Sequence, residues 1–114
     1  MGNFANRRLA FALYAKHALG IDLRSPGNPT YVGADVPEFT SFPDYAAGAR
    51  QFMGGGTRDG VLEGIRPGGD LLRLDPESRY FGIRSPVGTI RTFFRPDGGP
   101  NDWLQYFFDQ FKRL

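Results

Sequence analysis

Cysteine is absent from the 114 residues and histidine occurs once, at His17. The first absence excludes disulfide staples, thiolate zinc sites and a cysteine nucleophile, and leaves the redox compartment open. The second excludes centres that need several histidines, among them H-E-x-x-H metalloproteases, zinc triads and HNH-type nucleases. Lysine is scarce as well, with only Lys16 and Lys112, and the acid, acid-x-lysine spacing of common magnesium nucleases is missing. None of Ser25, Ser41, Ser78 or Ser85 sits in a G-x-S-x-G elbow, which argues against a serine hydrolase. Gly54-Gly55-Gly56 follows a helical pattern and lacks the Gly-Lys-Ser/Thr of a phosphate loop. No apolar run approaches the roughly 18 residues of a membrane helix, and no N-terminal pattern reads as a signal peptide. These absences together predict a soluble domain with no membrane partner, no metal and no cofactor.

What is present is a core. Hydrophobic residues make up 40% of the chain, and Phe 11, Tyr 5 and Trp 1 supply large apolar groups for a single domain over 1–114. The net charge of +2, from 14 basic against 12 acidic residues, is too small to identify a polyanionic partner. Its distribution is more informative. Met1 to Ile21 holds Arg7, Arg8 and Lys16 with no acid, and Ser78 to Pro96 holds Arg79, Arg84, Arg91 and Arg95 with no acid. Twelve of the fourteen cations are arginine, whose planar fork suits bidentate phosphate contacts. Arg7, Arg8, Arg79, Arg91 and Arg95 are accordingly candidate RNA-binding residues, the alternative on charge alone being an arginine-rich solvated surface.

Periodicity predicts an α+β domain: a helical part over 1–53 interrupted by a loop at 22–39, a sheet over 60–96 and a C-terminal helix over 101–114. Asn3 to Leu19 reads as one helix stopped by Gly20. Ser41 with Asp44 resembles a capping box opening a second helix that ends at Gly54. Four antiparallel strands then follow in a meander, with turns at Pro67-Gly68-Gly69, Asp75-Pro76-Glu77-Ser78 and Ser85-Pro86-Val87-Gly88. Simple alternation along the last strand places Ile90, Thr92 and Phe94 on one side and Thr89, Arg91 and Phe93 on the other. Trp103, Leu104, Phe107, Phe108 and Phe111 form a helical stripe read as core.

A lone histidine among arginines and hydroxyls suffices for one metal-free reaction. RNA carries its own nucleophile, the 2′-hydroxyl, which attacks the adjacent phosphate once a base takes its proton and cations stabilise the phosphorane. An imidazole is the side chain that exchanges protons near neutrality, so His17 can shuttle that proton. Lys16, Arg84 or Arg91 can hold phosphate, and Thr92 can donate a hydrogen bond to a phosphate oxygen. Strand parity lets only one of Arg91 and Thr92 line the cleft with His17, and Thr92 is preferred. The alternative is a non-catalytic nucleic-acid- or protein-binding module on the same arginines, for which His17 would be dispensable.

Lys16-His17-Ala18, then Tyr45-Ala46 with Phe52, then GDLLRLDP and YFGIRSPVGTIRTFFRP before a closing aromatic helix resemble C-terminal toxin domains of bacterial contact-dependent inhibition and related polymorphic toxin systems. The resemblance spans nearly the whole chain and rests chiefly on Phe81-Gly82-Ile83 and on Gly88 to Pro96 in the pattern G-x-I-x-T-x-F-x-P. It implies membership of the barnase, EndoU, colicin and RelE superfamily, with helices beside a twisted antiparallel sheet and metal-independent RNA cleavage, frequently of tRNA. By this resemblance His17 is the general acid/base, Thr92 and Arg84 contact the scissile phosphate, and Lys16 supports the transition state. It further implies a cognate immunity protein, delivery into the target-cell cytoplasm as part of a larger toxin, and a monomer or a heterodimer with the immunity protein.

Overall fold

The computed structural model describes residues 3–23, 30–56 and 58–112. In chain order these form β1 (Asn3–Phe4), α1 (Arg7–Tyr14), a π-helical turn (Ala15–Leu19), β2 (Ile21–Asp22), β3 (Thr30–Tyr31), α2 (Phe42–Met53), β4 (Leu62–Ile65), β5 (Leu71–Leu74), β6 (Phe81–Arg84), β7 (Thr89–Phe94) and α3 (Pro100–Gln110). The class is mixed α+β. The main sheet has five strands in the order β1-β7-β6-β5-β4, not four, and it is mixed, because β1 runs parallel to β7 while the β4–β7 meander is antiparallel.

That fifth strand comes from residues the periodicity assigned to the first helix. Asn3 and Phe4 pair with Thr89 and Ile90, and the Phe4 ring stacks on Tyr45 with centroids 6.2 Å apart. The helix therefore starts later, where the Asn6 side chain accepts a hydrogen bond from the Leu9 amide at 2.8 Å and satisfies one of the free N–H groups of the first turn. At its far end the ladder widens into the π turn, with the Gly20 amide reaching back to the Ala15 carbonyl. Gly20 stops it at φ 79, and a Cβ there would lie 2.8 Å from the backbone of Gly33 and Ala34, so the position needs both glycine's freedom and its small size.

The predicted loop 22–39 is not wholly irregular. It contains β3, and β2 and β3 form a small antiparallel sheet of their own; residues 24–29 lie outside the described residues. Ser41 caps α2 as expected by accepting from the Asp44 amide at 3.2 Å. α3 begins at Pro100, and the Asp102 carboxylate accepts from the Gly99 amide at 2.9 Å; of the predicted 101–114 helix, residues 113 and 114 fall outside the described residues.

Helices cover both faces of the main sheet. α1 and α2 pack with Ile90 and Phe93 in one cluster, and the Tyr45 hydroxyl donates to the Phe93 carbonyl beneath it. Trp103 and Phe107 of α3 pack with Leu72, Leu74, Phe81 and Ile83 in the other. Phe108 departs from the predicted stripe and is exposed.

Ile90 and Phe93 share a face because β7 carries a bulge. Ile83 pairs with Thr92 but Arg84 pairs with Ile90, leaving Arg91 as the extra residue. The bulge overturns the simple alternation: Ile90 faces α2, while Thr92 and Phe94 face the opposite side.

Candidate active site

His17 is presented by the π turn, whose terminal carbonyls lack partners within the helix. The His17 carbonyl accepts from the amides of both Asp35 and Val36 at 2.9 Å. This docks the segment after β3 against the helix end and brings the Asp35 side chain beside the imidazole. His17 Nδ1 lies 2.8 Å from Asp35 Oδ2, and the ring stacks on Phe94 with centroids 4.9 Å apart and planes 15° apart. The His17 side chain is 8% exposed. A carboxylate can only accept from a neutral imidazole, so Asp35 assigns the proton to Nδ1 and leaves Nε2 as the nitrogen that can take a proton from a ligand.

This pair sits in a cleft of about 570 Å³ between α1 and its π turn, the end of β7 and Tyr106 of α3. Lys16 and Thr92 line the same cleft, so three of the four residues assigned to catalysis share one space with Asp35. Helical spacing accounts for the α1 wall, since Leu9, Ala12, Leu13 and Lys16 recur on one face. Thr92 reaches it because the bulge turns it away from α2.

Arg84 does not line this cleft. It is paired with Ile90 on the α2 face of the sheet, and its guanidinium donates to the Met53 carbonyl. The phosphate contact that the resemblance implied for Arg84 therefore has no counterpart beside His17, and the physical reason is the register set by the bulge. Arg91, the bulge residue, also lies outside the cleft. Its Nε donates to Asp70 Oδ1 at 3.1 Å, with the side chain 52% exposed.

The other arginines scatter. Arg7 lies over the Phe42 ring at 6.0 Å and borders a separate recess that also contains Arg50. Arg8 is exposed on α1 one turn before Ala12. Arg79 is exposed with φ 65 and borders a small recess shared with Asp35, Arg95 and Asp97. Arg95 lines the main cleft, but its guanidinium is engaged with Glu38 and with the carbonyls of Asp35 and Ser78. Acids from other segments complete the cleft, Asp22, Asp35 and Asp97 among them. The two acid-free stretches of sequence thus do not fold into an acid-free face.

The Arg95 cluster has perturbed electrostatics. Burial pushes the Glu38 carboxyl up, but hydrogen bonds from Arg95 and Tyr80 more than offset this and hold it below its ordinary value. Burial and the neighbouring Glu38 raise the Tyr80 hydroxyl to about 12. For Arg95 burial acts downward, but Glu38 outweighs it and keeps the guanidinium more firmly protonated than usual.

Sequence reasoning missed Asp35, Phe94 as the stacking partner, and Tyr106. Asp35 stands in a Gly- and Pro-rich stretch with no motif, and its one local signal is the adjoining Val36, fully buried. Among the described residues no three histidine, aspartate or glutamate side chains gather in a way that could hold a metal ion, and no helix is long and apolar enough to cross a membrane. No protein-family model matches the chain, and no curated protein matches it either.

Proposed function

We propose that the chain is a metal-independent endoribonuclease acting on tRNA, of the kind carried as C-terminal toxin domains in contact-dependent inhibition and related polymorphic toxin systems. The observation that carries this reading is the part-buried His17–Asp35 pair at 2.8 Å in a cleft that also holds Lys16 and Thr92. Those are a base with a fixed tautomer, a cation and a hydroxyl donor, the three functions that 2′-hydroxyl attack on phosphate requires.

In this mechanism His17 Nε2 takes the 2′-hydroxyl proton as the 2′-oxygen bonds to phosphorus. Lys16 and the Thr92 hydroxyl stabilise the charge gathering on the non-bridging oxygens. The bond from phosphorus to the 5′-oxygen then breaks, the 5′-oxygen takes up the proton from His17, and a 2′,3′-cyclic phosphate remains. Asp35 holds the ring and stabilises the imidazolium formed midway. On the same reading a producing cell needs an immunity protein that covers the cleft, and the domain acts in the cytoplasm of the target cell.

The test is incubation of total tRNA with the purified protein in EDTA, read on a denaturing gel. Discrete fragments are expected from the wild type and none from His17→Ala; Asp35→Asn, which no longer favours the Nδ1 proton, should be slower by ~10²–10⁴-fold. Intact tRNA in every lane, with magnesium restored as well, or equal cutting by His17→Ala, would overturn the proposal.

A further inference from the structure

Arg95 belongs to an acid-free arginine segment, yet its guanidinium is engaged by Glu38, Asp35 and Ser78. Nη2 donates to Glu38 Oε2 at 2.7 Å and Nη1 to Glu38 Oε1 at 3.2 Å, a bidentate pair. Nη1 also donates to the Asp35 carbonyl at 2.8 Å, and Nε to the Ser78 carbonyl at 3.0 Å. The guanidinium lies 5.1 Å from the centroid of the Tyr80 ring, whose hydroxyl donates to Glu38 Oε2 at 2.6 Å. These contacts use the guanidinium fork on four acceptor oxygens of three residues, leaving little of it for a phosphate.

The backbone of the same residue completes the arrangement. The Arg95 amide donates to Asp35 Oδ1 at 3.1 Å, while Asp35 Oδ2 faces His17 Nδ1. Both carboxylate oxygens of Asp35 are thus occupied, one by β7's outgoing chain and the other by the imidazole. The Asp35 main chain is gripped on two sides as well, its amide by the His17 carbonyl and its carbonyl by the Arg95 guanidinium. Loop 33–38 carries no regular structure of its own, so the orientation of Asp35 depends on this ring of contacts.

We propose that Arg95, locked by Glu38, is a positioning residue that aims Asp35 at His17 and thereby sets the imidazole tautomer, and that it is not a contact for RNA. The effect on cleavage rests on the ribonuclease reading, whereas the effect on the ring does not. Charge separates the two roles. If Arg95 attracted RNA phosphates, removing Glu38 would unmask it and tighten binding. If it positions Asp35, removing either partner has the same sign of effect on turnover and neither changes binding.

His17 is the only histidine, so its ring nitrogen signals in a ¹⁵N-labelled protein need no assignment. At a pH where the ring is neutral, the wild type should show the Nδ1-protonated form, with Arg95→Gln and Glu38→Gln moving the two ring nitrogens toward a mixture of tautomers. In parallel, kcat on tRNA should fall ~10–100-fold in both variants, the range typical when a supporting partner of an active ligand is lost. Kd for 2′-O-methylated RNA, which cannot be cut, should stay within twofold of wild type, and the double variant should be no worse than the weaker single variant. Circular dichroism reports whether each variant folds; should Arg95→Gln not fold, Glu38→Gln carries the same comparison with the arginine intact. Unchanged ring signals in folded variants, or weaker RNA binding with kcat intact, would overturn the inference. A wild type that cuts no RNA would remove the ribonuclease reading alone, because the ring signals still decide the positioning role.

Discussion

At the scale of single residues, several carboxylates are held ionised by specific neighbours, and acid should undo those arrangements together. Burial pushes the Asp70 carboxyl up, but hydrogen bonds from Arg66 and Arg91 outweigh it and lower it below the model-peptide value of 3.8. Glu38 is likewise lowered from 4.5. A carboxyl depressed in the folded state adds stability that is complete above its unfolded value and is lost as pH falls through the folded one. Thermal melts should therefore drop in midpoint as pH is lowered from 4.5 through 3.8 and below. Asp70→Asn should melt lower at pH 7 and show a shallower decline in that acid window; a decline as steep as the wild type's would assign the acid limb elsewhere. Sequence legibility also divides at this scale. Lys16 and His17 were readable because they continue the helical pattern that begins on α1, and Thr92 because it was weighed against Arg91 for one face of a strand, although the bulge and not simple alternation decides which face that is. Asp35 was not, because a loop residue reaches its partner through contacts distant in sequence, here the paired amides on the His17 carbonyl.

At the scale of elements, the least expected device is Arg73. It sits at the centre of β5 with its side chain 1% exposed, a place where alternation predicts an apolar residue. Its guanidinium donates to the carbonyls of Phe52, Gly54, Gly55 and Gly56 and pairs with Glu63 across the β4–β5 ladder. The last turn of α2 and the glycine run after it have carbonyls with no helical partner, and a cation there also meets the negative end of the helix dipole. Replacing Arg73 by Met should destabilise the protein by ~3–5 kcal/mol, since Glu63 and the carbonyls lose their donor while staying partly buried. Urea denaturation followed by circular dichroism measures this, and a loss under about 1 kcal/mol would place Arg73 among ordinary surface pairs. The glycines at 54–56, where the sequence pattern ends the second helix, are a helix stop whose carbonyls also feed this cap. Gly82 of the Phe81-Gly82-Ile83 motif has a similar explanation: a Cβ there would collide with the sulfur of Met53, so α2 packs closely on β6 at that point. The meander and its turns were legible from turn chemistry, whereas β1 and the bulge at Arg91 were not, because a two-residue strand has no period and a bulge breaks one.

At the scale of the whole molecule, the five-stranded sheet with helices on both faces puts the cleft at the far end of β7, past the short stretch that β1 covers. The cleft is mixed in charge, not uniformly basic. Arg84, Arg91 and Arg95 are engaged within the fold, whereas among the described residues no acid pairs with Arg8, Lys16 or Arg79. Among the described residues about three cations are thus available for phosphates near the site. For single-stranded RNA this predicts a slope of log K against log salt of about −2, shallow for a nucleic-acid-binding protein, and Lys16→Ala should reduce it by about 0.7. Binding of 2′-O-methylated RNA across a salt series checks both values, and a slope steeper than about −4 would mean that further arginines bind the backbone. Whether His17 held by Asp35 drives attack by RNA's own 2′-hydroxyl is decided by mass analysis of the ends made from tRNA in EDTA. The expected products are 2′,3′-cyclic phosphate paired with 5′-hydroxyl ends, absent with His17→Ala; ends bearing 5′-phosphate, or no cleavage at all, would rule this chemistry out.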